Sequence, residues 1–144
     1  MPAEFLTEKE LRKVFWSFYG KRKSIKSFQF EVGIREGNTD LVTIEEYQDN
    51  LQVNSFEFKV RDFQKAFLQA KANLEYVQRS WIVMPISIAK SMSEKFQNQL
   101  NEYKEIGVMG VEPGGRYEVI HKVKRENPAV KLHSAILKIA LKEI

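Results

Sequence analysis

The chain has 144 residues, 43% hydrophobic and 29% charged, with a formal net charge of +4 and a pI near 9.2. That size sets one domain over residues 1–144, and the balance of apolar and charged residues excludes wholesale disorder. The absence of cysteine excludes a disulfide scaffold and a Cys-based zinc site. No apolar run approaches ~18 residues, so no membrane span is expected. Met1-Pro2-Ala3-Glu4 lacks the basic start and apolar stretch of a signal peptide, which gives a cytoplasmic expectation. Mild basicity suits a polyanionic partner.

Thr7-Glu8-Lys9-Glu10 has capping-box spacing, and Leu11, Val14, Phe15 and Phe18 recur at helical intervals. The pattern predicts a helix over about 7–19, ended by Gly20. Lys21, Arg22, Lys23 and Lys26 follow; they either complement the helix C-terminus or contact phosphates. Trp16 and Tyr19 either pack in the core or stack bases beside that basic run.

Phe28, Phe30, Val32 and Ile34 alternate with Gln29, Glu31 and Gly33, which predicts a strand with its apolar side chains on one face. Arg35-Glu36-Gly37-Asn38 reads as a turn. A strand from Thr39 to Ile44 and another over roughly 51–60 complete a meander. In the third strand Phe56, Phe58 and Val60 alternate with Glu57 and Lys59. Successive side chains of a strand point to opposite faces, so an acid and an amine share the face opposite the apolar trio. Asp40 opens the preceding strand with a second acid.

Asp62 caps the next helix, which carries an apolar stripe of Phe63, Ala66, Phe67, Ala70, Leu74 and Val77. A second stripe holds Lys65, Gln69, Asn73 and Tyr76. Trp81–Pro85 suits a buried strand, parallel to the third through a right-handed crossover. A helix is expected from Ser91 or Ser93 to about Glu105, then a strand over Gly107–Val111. After the turn at Pro113-Gly114-Gly115, Tyr117–Ile120 returns antiparallel. Lys122–Pro128 reads as a linker and Ala129–Ile144 as a final helix.

Asp40, a connection, then Glu57-x-Lys59 resembles the PD-(D/E)XK nuclease superfamily, with Thr39 standing where the family name has Pro. The order of elements over about 7–121 is similar as well. The resemblance implies an α/β restriction-endonuclease-like fold: a three-layer core with a mixed central sheet flanked by helices, here followed by a C-terminal helix. It implies a DNA nuclease using Mg²⁺ or Mn²⁺, alone, as a homodimer or within a larger nuclease complex.

By the same resemblance Asp40, Glu57 and the Phe58 carbonyl bind metal, and Lys59 holds the attacking water and offsets phosphate charge. Glu31 is the added upstream acid, with Glu8 or Glu10 as its rivals. Gln69 steadies the site or the scissile phosphate, and Asn73 occupies a position often filled by Tyr. Lys21, Arg22, Lys23, Lys26, Arg61 and Lys65 are the expected DNA contacts. Two other readings stand beside these: an ordinary ion pair of Lys59 with its acidic neighbours, and a non-catalytic binding module on the same fold. His121 and His133 lack a paired-ligand spacing, and no Gly-rich phosphate loop occurs.

Overall fold

A computed structural model describes residues 7–131 and 133–141. The helix α1 spans Glu8–Tyr19 and starts as the capping box predicts: Thr7 Oγ1 accepts from the Glu10 N–H at 3.1 Å. Gly20 ends it, though not in the left-handed conformation expected of a helix-terminating glycine. Its φ is −65°, and a Cβ there would come within 2.6 Å of the Trp16 ring, so close approach rather than backbone freedom requires glycine.

Strands β1 (Ile25–Val32), β2 (Thr39–Tyr47) and β3 (Asn50–Phe58) form an antiparallel meander. Helix α2 (Phe63–Asn73) leads to β4 (Arg79–Pro85), parallel to β3. Helices α3 (Ile86–Lys95) and α4 (Gln97–Glu102) lead to β5 (Ile106–Val111), parallel to β4, and β6 (Tyr117–His121) returns antiparallel. The strands lie in sequence order in one six-stranded mixed sheet. The sequence of elements expected over 7–121 is therefore present.

The sheet separates two layers of core. Helix α1 packs Leu11, Phe15 and Tyr19 on Leu41, Phe56, Phe58, Trp81, Val83, Met109 and Val111. On the other face α2 and α3 cover Ile82, Met84, Ile106 and Val108. There α5 (Ser134–Leu141) lays Ile136 and Ile139 over Val32, Ile34, Val42 and Ile44. The expected C-terminal helix thus begins at Ser134 rather than at Ala129; its expected end, 142–144, lies outside the described residues.

Three local differences matter. The apolar residues of β1 do not share a face: Phe30 packs with the α1 cluster, whereas Val32 and Ile34 join the cluster under α5. The switch falls at Glu31, whose φ of 54° is left-handed. Next, β2 and β3 meet at a two-residue turn, Gln48-Asp49, with both φ positive, the mark of a type I′ hairpin. Finally, α3 starts directly after Pro85, five residues before Ser91, and breaks at Phe96.

Candidate metal and phosphodiester site

The strand pairing of Leu41 with Phe56 puts Asp40 and Glu57 at neighbouring positions on adjacent strands. Asp40 Oδ2 accepts the Phe58 N–H at 2.9 Å, so the start of β2 is tied to the end of β3. Glu57 is wholly buried. Its Oε2 accepts from Arg35 Nη2 at 3.0 Å and from Asn73 Nδ2 at 2.8 Å. Asn73 is itself held, its Oδ1 accepting from Arg35 Nε and from the Thr39 hydroxyl, both at 2.7 Å. This network fixes the Glu57 carboxylate in position, yet Glu57 Oε1 is buried without a hydrogen-bond partner among the described residues.

Leaving a buried carboxylate oxygen unmatched is costly. The cost appears in proton affinity: burial, then the nearby Asp40 charge, push Glu57 up to about 7, against the opposing bonds from Asn73 and Arg35. Asp40 is also raised, first by burial, with Glu31 and Glu8 adding to the shift and the Phe58 N–H and Lys59 opposing it. Asp40 is the acid that senses Lys59, Glu31 and Glu8, and its charge reaches Glu57 in turn. Lys59, one residue past β3, places its Nζ 3.4 Å from Glu8 Oε1 on α1.

A cleft of about 280 Å³ opens here, lined by Glu8, Lys9, Arg12, Glu31, Asp40 and Phe58. Glu31 reaches it from β1 and pairs with Arg12 at 2.8 Å. Gln69 lies one turn before Asn73 on α2, so the two share a face, and its Oε1 is also buried without a partner among the described residues. Tyr76, the last member of the polar stripe, instead stands edge-on to His133.

Asp40 thus lies within electrostatic reach of Glu57, Lys59, Glu31 and Glu8, while Glu57 is held by Asn73 of α2 and Lys59 by Glu8 of α1, and the cleft lining includes neither Glu57 nor Lys59. The basic residues divide. Arg61 and Lys65 are exposed just beyond Lys59. Lys21, Arg22, Lys23 and Lys26 follow the opposite end of α1, whose twelve residues span roughly 18 Å. Arg22 is also engaged there, donating to Tyr47 and Tyr117 and stacked on Tyr19. Lys26 pairs with Glu46 at 3.2 Å. Arg35, read from sequence as a turn residue, is the missed member of the site; a buried acid without a nearby cation is what could have pointed to it.

Two carboxylates suit Mg²⁺ or Mn²⁺, which take oxygen ligands and usually keep several waters. The unbonded Glu57 oxygen, on the strand paired with that of Asp40, has the chemistry such a cation takes. Among the described residues no three or more His, Cys, Asp or Glu side chains form a metal-holding group, so any cation here would complete its shell with water, carbonyl or substrate oxygen. Comparison with protein families, with curated proteins and with solved structures finds no match to this chain.

Proposed function

We propose that this chain is a divalent-metal-dependent DNA nuclease of the PD-(D/E)XK type, with the corresponding restriction-endonuclease-like core. One observation carries the reading. A buried glutamate, pinned through one oxygen by Arg35 and Asn73, keeps its other oxygen unbonded among the described residues, on the strand paired with that of Asp40 and one residue before β3 ends at Phe58. Asp40 and Glu57 would hold Mg²⁺ or Mn²⁺, which supplies Lewis-acid stabilisation of charge on phosphorus and activation of water. Arg35 and Asn73 act by orienting Glu57 so that Oε1 is presented. Lys59 offsets phosphate charge and positions the attacking water, exchanging its contact with the half-exposed Glu8, an ion pair worth at most about 1 kcal/mol. Gln69, one turn before Asn73 on α2, carries a further buried oxygen, and Glu31 adds an acid to the cleft lining. A homodimer, or a larger assembly in the cytoplasm, would serve cleavage of two strands.

The test uses single-stranded, linear duplex, supercoiled and four-way-junction DNA with Mg²⁺, Mn²⁺ or EDTA, beside Asp40→Ala. Metal-dependent cutting lost in the variant is the expected result. Absence of both cutting and metal binding would overturn it in favour of a non-catalytic binding module, a reading favoured by the ion pairs that already engage Glu57 and Lys59.

A further inference from the structure

Helix α1 presents Lys9, Arg12 and Lys13 at spacings of three and four, and Trp16 three residues beyond Lys13, so these side chains share one helical face. Together with Phe30 on β1 they line a second cleft of about 360 Å³. Lys9 and Arg12 also line the Asp40 cleft, so the two openings adjoin. The aromatic floor is rigid: Trp16 lies 4.5 Å from Phe28 and 5.4 Å from Phe30, and it occupies the space a Cβ on Gly20 would need. Arg12 is fixed over Phe30 at 5.1 Å and against Glu31.

Phe28 is 41% exposed at the edge of this platform. A phenylalanine left open beside a tryptophan on an edge strand marks an interaction surface better than a core. Lys9 and Lys13 have no ion-pair partner among the described residues. One exposed and two half-buried aromatic rings, set beside two lysines unpaired among the described residues, fit a polyanion that carries planar groups. Bases stack on the rings while phosphates meet the ammonium groups, and an unpaired strand offers both at once. In a duplex the base faces are already stacked, leaving the rings without partners.

We propose that the face formed by Lys9, Arg12, Lys13, Trp16, Phe28 and Phe30 binds a single strand of nucleic acid and leads it to Asp40. For its placement beside a scissile phosphate it rests on the nuclease reading. From Lys9 to Trp16 the helix rises roughly 10 Å, the span of about three nucleotides of one strand.

The experiment measures anisotropy of labelled oligothymidylate, oligouridylate and a DNA duplex of equal length, in EDTA, with the full chain. Single strands should bind roughly tenfold or more tightly than duplex, because only they offer free base faces to the rings, and Lys13→Glu should weaken them by about tenfold, since an ammonium–phosphate contact is replaced by repulsion. Lys13 is exposed, so this variant spares the fold. The oligouridylate arm decides whether the strand is DNA alone or either nucleic acid. In a Trp81→Phe background the remaining indole, Trp16, should be quenched by the bound strand. Duplex binding as tight as single-strand binding, or affinity unchanged in Lys13→Glu, overturns the inference. Binding that depends on Lys13 without cutting in Mg²⁺ or Mn²⁺ keeps this groove and removes the nuclease reading. Metal-dependent duplex cutting indifferent to Lys13→Glu does the reverse.

Discussion

Glu45 on β2 and Glu57 on β3 are both shut off from solvent, but their surroundings treat them oppositely. Glu45 Oε2 accepts from the Tyr19 hydroxyl at 2.8 Å and from Thr43 at 2.7 Å. Its Oε1 accepts from Tyr47 at 2.6 Å, with Ser24 at 3.4 Å and the Arg22 guanidinium at 4.0 Å. The Tyr19 hydroxyl is correspondingly hard to ionise, first by burial and then by the Glu45 charge. Among the described residues Glu57 has donors on Oε2 alone. A buried carboxylate bonded on both oxygens holds structure together; one with an oxygen left over keeps a place for something else.

Removing the satisfied acid should cost most. Glu45→Ala strands four hydroxyls and a guanidinium, and urea denaturation should record a loss of roughly 3–5 kcal/mol. Glu57→Gln should leave denaturation in EDTA at pH 7.5 unchanged or slightly improved. Cleavage should invert that order. Asp40→Ala, Glu57→Ala and Lys59→Ala should each lower metal-dependent cutting on the order of a thousandfold, about 4 kcal/mol, while Glu45→Gln, where it folds, keeps its rate within a few-fold. Equal rates for Glu57→Ala and the unmodified chain would erase the distinction.

Proton binding sharpens the contrast. Glu57 sits near 7 folded against an ordinary value of 4.5. Between those values the native chain binds more protons than the unfolded one, so stability falls as pH rises through that window and levels off above it. The drop is on the order of 3 kcal/mol, and the raised Asp40 acts in the same direction. His121, lowered by burial and by Lys124, acts with opposite sign. The difference between the native chain and Glu57→Gln across pH 4.5–7.5 therefore isolates Glu57, and parallel curves would refute its raised proton affinity. The smallest effect is the cation's. Mg²⁺ at ten times its dissociation constant should add about 1.4 kcal/mol, at pH 7.5 and not at pH 5, with no gain in Asp40→Ala.

Much of the frame was legible because periodicity and capping are local. Thr7 and Asp62 cap as their sequences announce, and both cap bonds form. The meander and the parallel βαβ step followed from β-branched and aromatic runs separated by a helical stripe. What escaped depended on neighbours distant in sequence. Asn73 was legible only as a member of the polar stripe of α2; it is buried because Glu57, Arg35 and Thr39 converge on it. Glu45 lay just past the strand expected to end at Ile44, and only the longer β2 and the hydroxyls of Tyr19 and Tyr47 enclose it. Helix α3 was expected to begin late because Pro85 was read as a stop; its fixed φ also preorganises a helix start, and Ile86 follows it directly into the first turn. The Gln48-Asp49 turn carries no glycine, so nothing local announced its positive φ values.

After β6 the chain runs back over the sheet. The Asn127 N–H meets the Gln78 carbonyl and the Lys131 N–H meets that of Glu75, before Ile136 and Ile139 settle on Val32, Ile34, Val42 and Ile44. The cover of the first hairpin thus lies roughly a hundred residues downstream of it. At a synthesis rate of ~5–20 residues per second, that hairpin waits about 5–20 s on the ribosome with one apolar face bare. Its outer strand is also a sheet edge, open to pairing with another nascent chain. Damage to α5 should therefore register first as aggregation during expression, while the chemistry around Asp40 survives in whatever fraction folds.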